Sequence, residues 1–290
     1  MKKRILGIIG GSGLYSVEGL QNVYWKKIKT SWGEPSSSIL SASFNKEEIY
    51  FLPRHGKGHK ISPSNINFRA NIEALKKCGV TDIISVSAVG SLKEHLLPGT
   101  FVIVDQFIDR TFARVKTFFD ADVVAHVSMA KPTSPSLMKC CESALIKCNI
   151  NHQVGGTYLV MEGPQFSSLA ESKLYRSRKA DVIGMTNVPE AKLAREAEIR
   201  YATVAMVTDF DCWHPDHDEV DVPAVIKTLQ QNATNAQNMI IEMIKTFKSF
   251  NPKGDPANEC LENAIITQPR FRTKKTIQKL KHIAGRILKK

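Results

Sequence analysis

The sequence predicts an α/β fold built on a mainly parallel sheet, and three observations carry that expectation. Short β-rich runs alternate with helical stretches along most of the chain, which is the sign of βαβ units. Of the 290 residues 42% are hydrophobic and 23% charged, with 17 Gly and 13 Pro, so the composition is that of a globular protein with enough chain to bury a full core. No apolar run approaches the roughly 18–20 residues of a membrane span.

Strands are expected at 5–10, 48–52, 81–87, 100–108, 156–161, 181–185 and 201–207. Helices are expected at 65–78, 135–148, 168–178, 189–199 and 222–250. Two helix starts are explicit. Ser168 followed by Glu171 forms a capping box, and Asn187, Pro189 and Glu190 supply a cap, an early proline and a reciprocal acid. The charged start at 1–4 imitates a signal peptide, but Gly10, Gly11 and Gly13 break its apolar stretch too soon and no cleavage site follows. Six cysteines show no C-x-x-C spacing, which argues against structural zinc and for reduced thiols in the cytoplasm.

A formal charge of +12 suggests nucleic acid until it is mapped. Residues 270–290 hold nine Lys/Arg and no acid, and the remainder carries 31 basic against 28 acidic residues. The body is therefore nearly neutral, which weighs against a nucleic-acid-binding body. Residues 251–256, rich in Pro and Gly, separate body from tail. Within the tail, Ile277, Leu280, Ile283, Ala284, Ile287 and Leu288 fall at helical spacing. They predict an amphipathic helix packed on the body or a neighbouring subunit, although Gly285 weakens it by about 1 kcal/mol relative to Ala. Binding of anionic polymers or lipid heads by this basic helix is the alternative.

Ligands of open α/β sheets bind beyond the carboxyl ends of strands, so the residues following each strand are the candidates. Gly10, Gly11, Ser12 and Gly13 follow the first, Arg54 and His55 the second, and Ser87, Ala88, Val89 and Gly90 the third. Thr186 and Asn187 open a helix after the run at 181–185, where unpaired N–H groups favour an anion. Together these suggest a phosphate site, although neither the P-loop nor the G-x-G-x-x-G spacing is present. Asp209 and Asp211, two apart in an extended segment, would point the same way. Neighbouring carboxyls cannot easily both ionise, so the pair suits a general acid that protonates a leaving group; it equally suits a pair that reads a base through its exocyclic amine, or a polar turn or helix cap. His214, Asp216, His217 and Asp218 prompt a metal test, but the remaining ligands of a metallo-β-lactamase set are not evident, and no metal site is expected.

Seven stretches in order carry a resemblance: Gly7 to Gly13, Pro53 to Gly56, Ser87 to Ser91, Asp105 to Arg110, Glu162 to Phe166, Gly184 to Glu190 and Thr208 to Trp213. Over about residues 5–250 the chain resembles the S-methyl-5'-thioadenosine phosphorylases of the trimeric purine nucleoside phosphorylase superfamily, bacterial members in particular. The basic end of the tail is where the resemblance weakens. It implies a single domain at 1–250 with a mixed, mainly parallel central β-sheet flanked by helices, the tail at 251–290 being an extension.

The implied reaction is reversible phosphorolysis of S-methyl-5'-thioadenosine, in methylthioadenosine and methionine salvage, by a cytoplasmic homotrimer with inorganic phosphate as co-substrate and no metal or organic cofactor. The resemblance puts Ser12, Arg54, His55, Ser87, Ala88 and Thr186 around phosphate and Met185 under the ribose. Phe166, Val89, Gly90 and Ile183 would line the base, with Asp209 donating to its N7 and Asp211 accepting from its exocyclic amine. Two acids favour a 6-aminopurine, since a 6-oxopurine presents an acceptor. Val222, Val225, His126 (from the adjacent subunit) and Ser167 would form the 5'-methylthio pocket. The alternatives are a purine nucleoside phosphorylase acting on adenosine, inosine or methylthioinosine, and a nucleic-acid-associated module acting through its tail.

Overall fold

The computed structural model describes residues 3–11, 14, 17–215 and 222–288, the side chains of 222 and 224 excepted. The strands are β1 (Leu6–Gly10), β2 (Gln21–Lys26), β3 (Ile39–Phe44), β4 (Glu47–Pro53), β5 (Asp82–Ser91), β6 (Phe101–Val104), β7 (Gln106–Asp109), β8 (His152–Val154), β9 (Thr157–Val160), β10 (Val182–Gly184) and β11 (Arg200–Asp209). The helices are α1 (Phe68–Lys77), α2 (Pro135–Lys147), α3 (Leu169–Ser177), α4 (Asn187–Glu196), α5 (Val222–Thr246), α6 (Lys274–Lys279) and α7 (Lys281–Leu288).

All described strands join one mixed, mainly parallel sheet in a single α/β domain. Its path runs β2-β3-β4-β1-β5-β10-β9-β7, with β11 pairing β5 and β6, and β6 pairing β8. β1 runs parallel to β4 and β5, and β11 parallel to β5, while β10 meets β5 antiparallel. Successive residues alternate between two faces, as the pleat requires. Ile83 and Tyr201 pack with α1 and α4, whereas Ile84 and Ala202 pack with α2 and α5. Helices therefore cover both faces, which is why β1 and β5 read as near-continuous apolar runs.

Several local expectations are corrected. β2 and β3 carry no strand prediction. All of β2 is exposed at the sheet edge, so burial writes no alternation into its sequence. The run at 100–108 is two strands, because Asp105 turns to accept the Gly156 N–H at 3.0 Å and β7 leaves to pair β9. β5 continues to Ser91, so Ser87 lies within a strand rather than after one. The capping box at Ser168 forms, but the one at Asn187 does not. Thr186 holds the cap position without a side-chain bond, and the Glu190 carboxylate turns inward to Arg54. α5 ends at Thr246, four residues short, followed by a 3-10 turn.

The tail segment docks on the α1–α4 face. Leu261, Leu280, Ile283, Ala284 and Leu288 are buried in the same cluster as Ile72 and Leu193. Gly285 is tolerated inside α7 because neighbouring apolar side chains anchor the helix. Residues 264–267 also bond the segment at 124–126, through His126 N–H to Ala264 O at 2.9 Å and Ile266 N–H to Val124 O at 3.0 Å. Among the described residues no helix is long and apolar enough to cross a membrane.

Candidate active site

A cavity of about 310 Å³ opens where β1, β4, β10 and β11 end and β5 passes, with α5 along one wall. Size and position are those of a small-molecule site.

One end is a cradle of satisfied polar groups. Arg54 follows β4 and is 1% exposed, yet borders the cavity. Its Nε donates to Glu190 Oε2 at 2.9 Å and its Nη2 to Glu190 Oε1 at 3.1 Å and to Ser85 Oγ, while Nη1 donates to Val86 O at 3.1 Å. Ser87 Oγ lies 3.1 Å from both Thr186 Oγ1 and Tyr158 OH. The antiparallel pairing of β10 with β5 produces that approach, setting the start of α4 against the middle of β5. The ring of His55 stacks on that of His59, centroids 4.1 Å apart. Its Nδ1 stands 2.8 Å from Ile61 O. A carbonyl only accepts, so Nδ1 carries the proton and Nε2 of the neutral ring is an acceptor. Burial pushes the His55 pKa down to about 4 against the raising effect of that carbonyl, helped by the Arg54 charge and His59.

The other end is acidic and incompletely paired. Asp209 closes β11 and accepts from Thr208 Oγ1 at 2.7 Å and from the Asp211 N–H at 2.8 Å. Asp211 is not a second tooth of the strand, as expected from spacing. It lies past the strand end with φ 54°, and its own N–H, bonded to Asp209, holds the pair together. Burial raises both carboxyl pKa values, and the charge of Asp209 raises that of Asp211 further. The Ser172 and Ser167 hydroxyls stand close enough to hold Asp211 down in part. Even so, Asp211 Oδ2 and Ser172 Oγ are buried without a partner at hydrogen-bond geometry. Gly90 passes so close that a Cβ there would come within 2.9 Å of Asp209 Oδ1, so only glycine lets β5 approach the acids.

Between these ends, Met185, Ile183, Ala88, Val89 and Phe166 border the cavity, and Val225, Leu229 and Ala233 face it from α5. Ser12 lies outside the described residues, and so does the side chain of Val222, the first residue of α5. Ser167, expected in the 5' pocket, instead stands by Asp211 and does not border the cavity. His126 is exposed and away from this chain's cavity. Among the described residues no three His, Cys, Asp or Glu side chains converge on a metal position.

Sequence reasoning takes Glu190 for a capping acid and gives Ser85, Tyr158, His59 and Arg114 no role at the site. Arg114 donates from Nη1 to Met185 O and Val188 O at 2.6 and 2.9 Å, from Nη2 to Glu162 O at 2.7 Å, and from Nε to Glu162 Oε1 at 3.1 Å. Its only sequence signal was its place four residues after the Asp105–Arg110 stretch.

Basic and hydroxyl groups at one end of a cavity at the sheet's strand ends, and two carboxyls at the other, are the arrangement of an α/β enzyme acting on a small polar molecule. The phosphorylase superfamily model matches residues 5–245. S-methyl-5'-thioadenosine phosphorylase from Rhodospirillum rubrum is 56% identical over 99% of this chain and 98% of its own, and that from Cereibacter sphaeroides 52% identical over 99% of each. The crystal structure of a methylthioadenosine phosphorylase from an Antarctic soil metagenomic library superposes with a TM-score of 0.91 at 46% identity, covering 98% of this chain and 99% of that one. A Schistosoma mansoni adenosine/methylthioadenosine phosphorylase variant in complex with methylthioadenosine gives 0.81 at 33%, covering 86% and 93%. The chain belongs to the phosphorylase superfamily and, within it, to the S-methyl-5'-thioadenosine phosphorylase family. The bacterial matches also run through the tail, where a weakening resemblance was expected.

Proposed function

We propose that this chain is a pentosyltransferase that cleaves S-methyl-5'-thioadenosine with phosphate, giving adenine and 5-methylthioribose 1-phosphate. One observation carries the reading beyond the family: a single cavity has anion donors at one end and two raised carboxyls at the other. Phosphate sits among Arg54, Ser87, Thr186 and the backbone at Ala88, with neutral His55 Nε2 accepting from a protonated phosphate oxygen. Ser12 completes this set by resemblance. Met185 lies under the ribose, and Val225, Leu229 and Ala233 offer the 5'-methylthio group an apolar wall.

As the glycosidic bond breaks, positive charge grows on the sugar and negative charge on the purine. The phosphate anion offsets the first, and Asp209 donates its proton to N7 to quench the second. Asp211, which borders the cavity with Asp209, accepts from the exocyclic amine, and an acceptor at that position favours an adenine over a 6-oxopurine, which presents an acceptor of its own. The bond from C1' to the base nitrogen breaks, a bond from C1' to a phosphate oxygen forms, and the electron pair leaves with the protonated base.

The enzyme works as a homotrimer in this reading. Its support is that exposed His126 lies outside this chain's own cavity and Phe112 is 83% exposed. Mass measurement in solution tests it, and a monomer with full activity would defeat it. The activity is tested by adenine release with and without phosphate, from methylthioadenosine, adenosine and methylthioinosine in parallel. Phosphate-dependent release fastest from methylthioadenosine is expected. Phosphate-independent release would make it a hydrolase, and a preference for methylthioinosine would overturn the base reading alone.

A further inference from the structure

The phosphate end rests on a second layer that touches no ligand. Glu190 is fully buried at the first turn of α4, and its carboxylate accepts from both sides of the Arg54 fork, at 2.9 and 3.1 Å. Ser85 Oγ and Tyr201 OH donate to the same carboxylate at 2.6 and 2.9 Å. Asn187 Nδ2 in turn reaches both of those hydroxyls, at 2.8 and 2.7 Å. A guanidinium has five N–H groups. Three point to Glu190 and Ser85 and one to Val86 O, which leaves one Nη1 hydrogen for the cavity that Arg54 borders.

We propose that Glu190 is a positioning residue for phosphate: its bidentate grip aims the remaining Arg54 N–H and offsets the guanidinium's charge, so that phosphate is held by direction more than by net charge. The inference rests on reading Arg54 as a phosphate contact. A bidentate pair fixes geometry as well as energy, and Glu190 stands four residues past the Thr186 hydroxyl beside Ser87, across an extended Val188 (φ −120°, ψ 129°) near the start of α4. Phosphate thus meets two groups, Arg54 and Thr186, that the one short segment 186–190 positions.

Steady-state kinetics of Glu190→Asp, Glu190→Gln and Arg54→Lys test it, with KM for phosphate and for methylthioadenosine measured separately and each melting curve recorded. Glu190→Asp keeps the charge but shortens the reach. It should fold, raise KM for phosphate at least fivefold and leave KM for methylthioadenosine within twofold. Glu190→Gln should raise the phosphate KM more, at least tenfold. It leaves a buried cation poorly paired, and if it does not fold the Asp variant decides alone. A folded Asp variant whose phosphate KM is unchanged, or whose two KM values rise together, overturns the proposal. If Arg54→Lys leaves KM for phosphate unchanged, the phosphate reading of Arg54 falls first. If Arg54→Lys raises it and Glu190→Asp does not, only the positioning role falls.

Discussion

The two ends of the cavity are built on opposite plans. At the phosphate end the side chains are already paired: Arg54 with Glu190 and Ser85, Ser87 with Thr186 and Tyr158, His55 with the Ile61 carbonyl. At the base end two carboxyls border the cavity, Asp209 accepting from Thr208 and the Asp211 N–H, with burial raising both pKa values and a left-handed residue where the strand stops. A pre-paired end binds an ion that differs little from molecule to molecule, without rearrangement. Two carboxyls kept from easy ionisation by burial gain most from a molecule with matching donors and acceptors, which is how a site discriminates. The first plan favours affinity and the second selectivity.

The largest test of this contrast is Asp209→Asn, which removes the proton donor. kcat should fall by about 10²–10⁴, the usual worth of general acid catalysis, while KM for phosphate stays within a few-fold. Parallel collapse of phosphate affinity would show that the ends are not separate. Next is Asp211→Asn, which turns an acceptor into a donor. The ratio of methylthioinosine to methylthioadenosine turnover should rise on the order of tenfold or more, one good hydrogen bond being the difference. An unmoved ratio places base reading elsewhere.

The pH profile separates the ends more gently. Asp209 acts while protonated, and its raised pKa extends that form upward in pH, so kcat should decline several-fold along an alkaline limb. His55, held near 4, stays neutral above about pH 5 and adds no step of its own to KM for phosphate. A His55-dependent step between pH 6 and 8, abolished in His55→Gln, would contradict its neutral state. The smallest effect is expected from Ser87→Ala. Loss of one neutral hydroxyl should raise KM for phosphate only about 2–10-fold, matching the roughly 0.5–1.5 kcal/mol of one net hydrogen bond.

The same contrast explains what could be read from sequence. Glycines, hydroxyls and basic groups after strands betray an anion site because backbone topology alone brings strand ends together. Arg54, His55 and Thr186 could therefore be named as candidates without any side-chain geometry, and Ser87 too although it lies within β5; the structure brings all four to the border of one cavity. Glu190 was misread because a local rule, acid three residues after a cap, fits its spacing, whereas its true partner is 136 positions away. Asp211 was found but its conformation was not, since spacing two apart implies a strand only while the strand lasts. The edge strand β2 escaped because an exposed strand has no buried face to alternate. The docked tail was legible in outline from its apolar spacing, although which face of the domain received it was not.

Arg114 has an evolutionary consequence. Its guanidinium ties the Met185–Val188 backbone to the Glu162 segment that leads to Phe166. The Met185 and Phe166 borders of the cavity are thereby tied to one another, and a change in either propagates to the other. The α5 wall, with Val225, Leu229 and Ala233, is not bonded to that arginine. The α5 border of the cavity can therefore be revised one side chain at a time. The Met185 and Phe166 borders must change together, so drift in the shape of the cavity should run along α5 first.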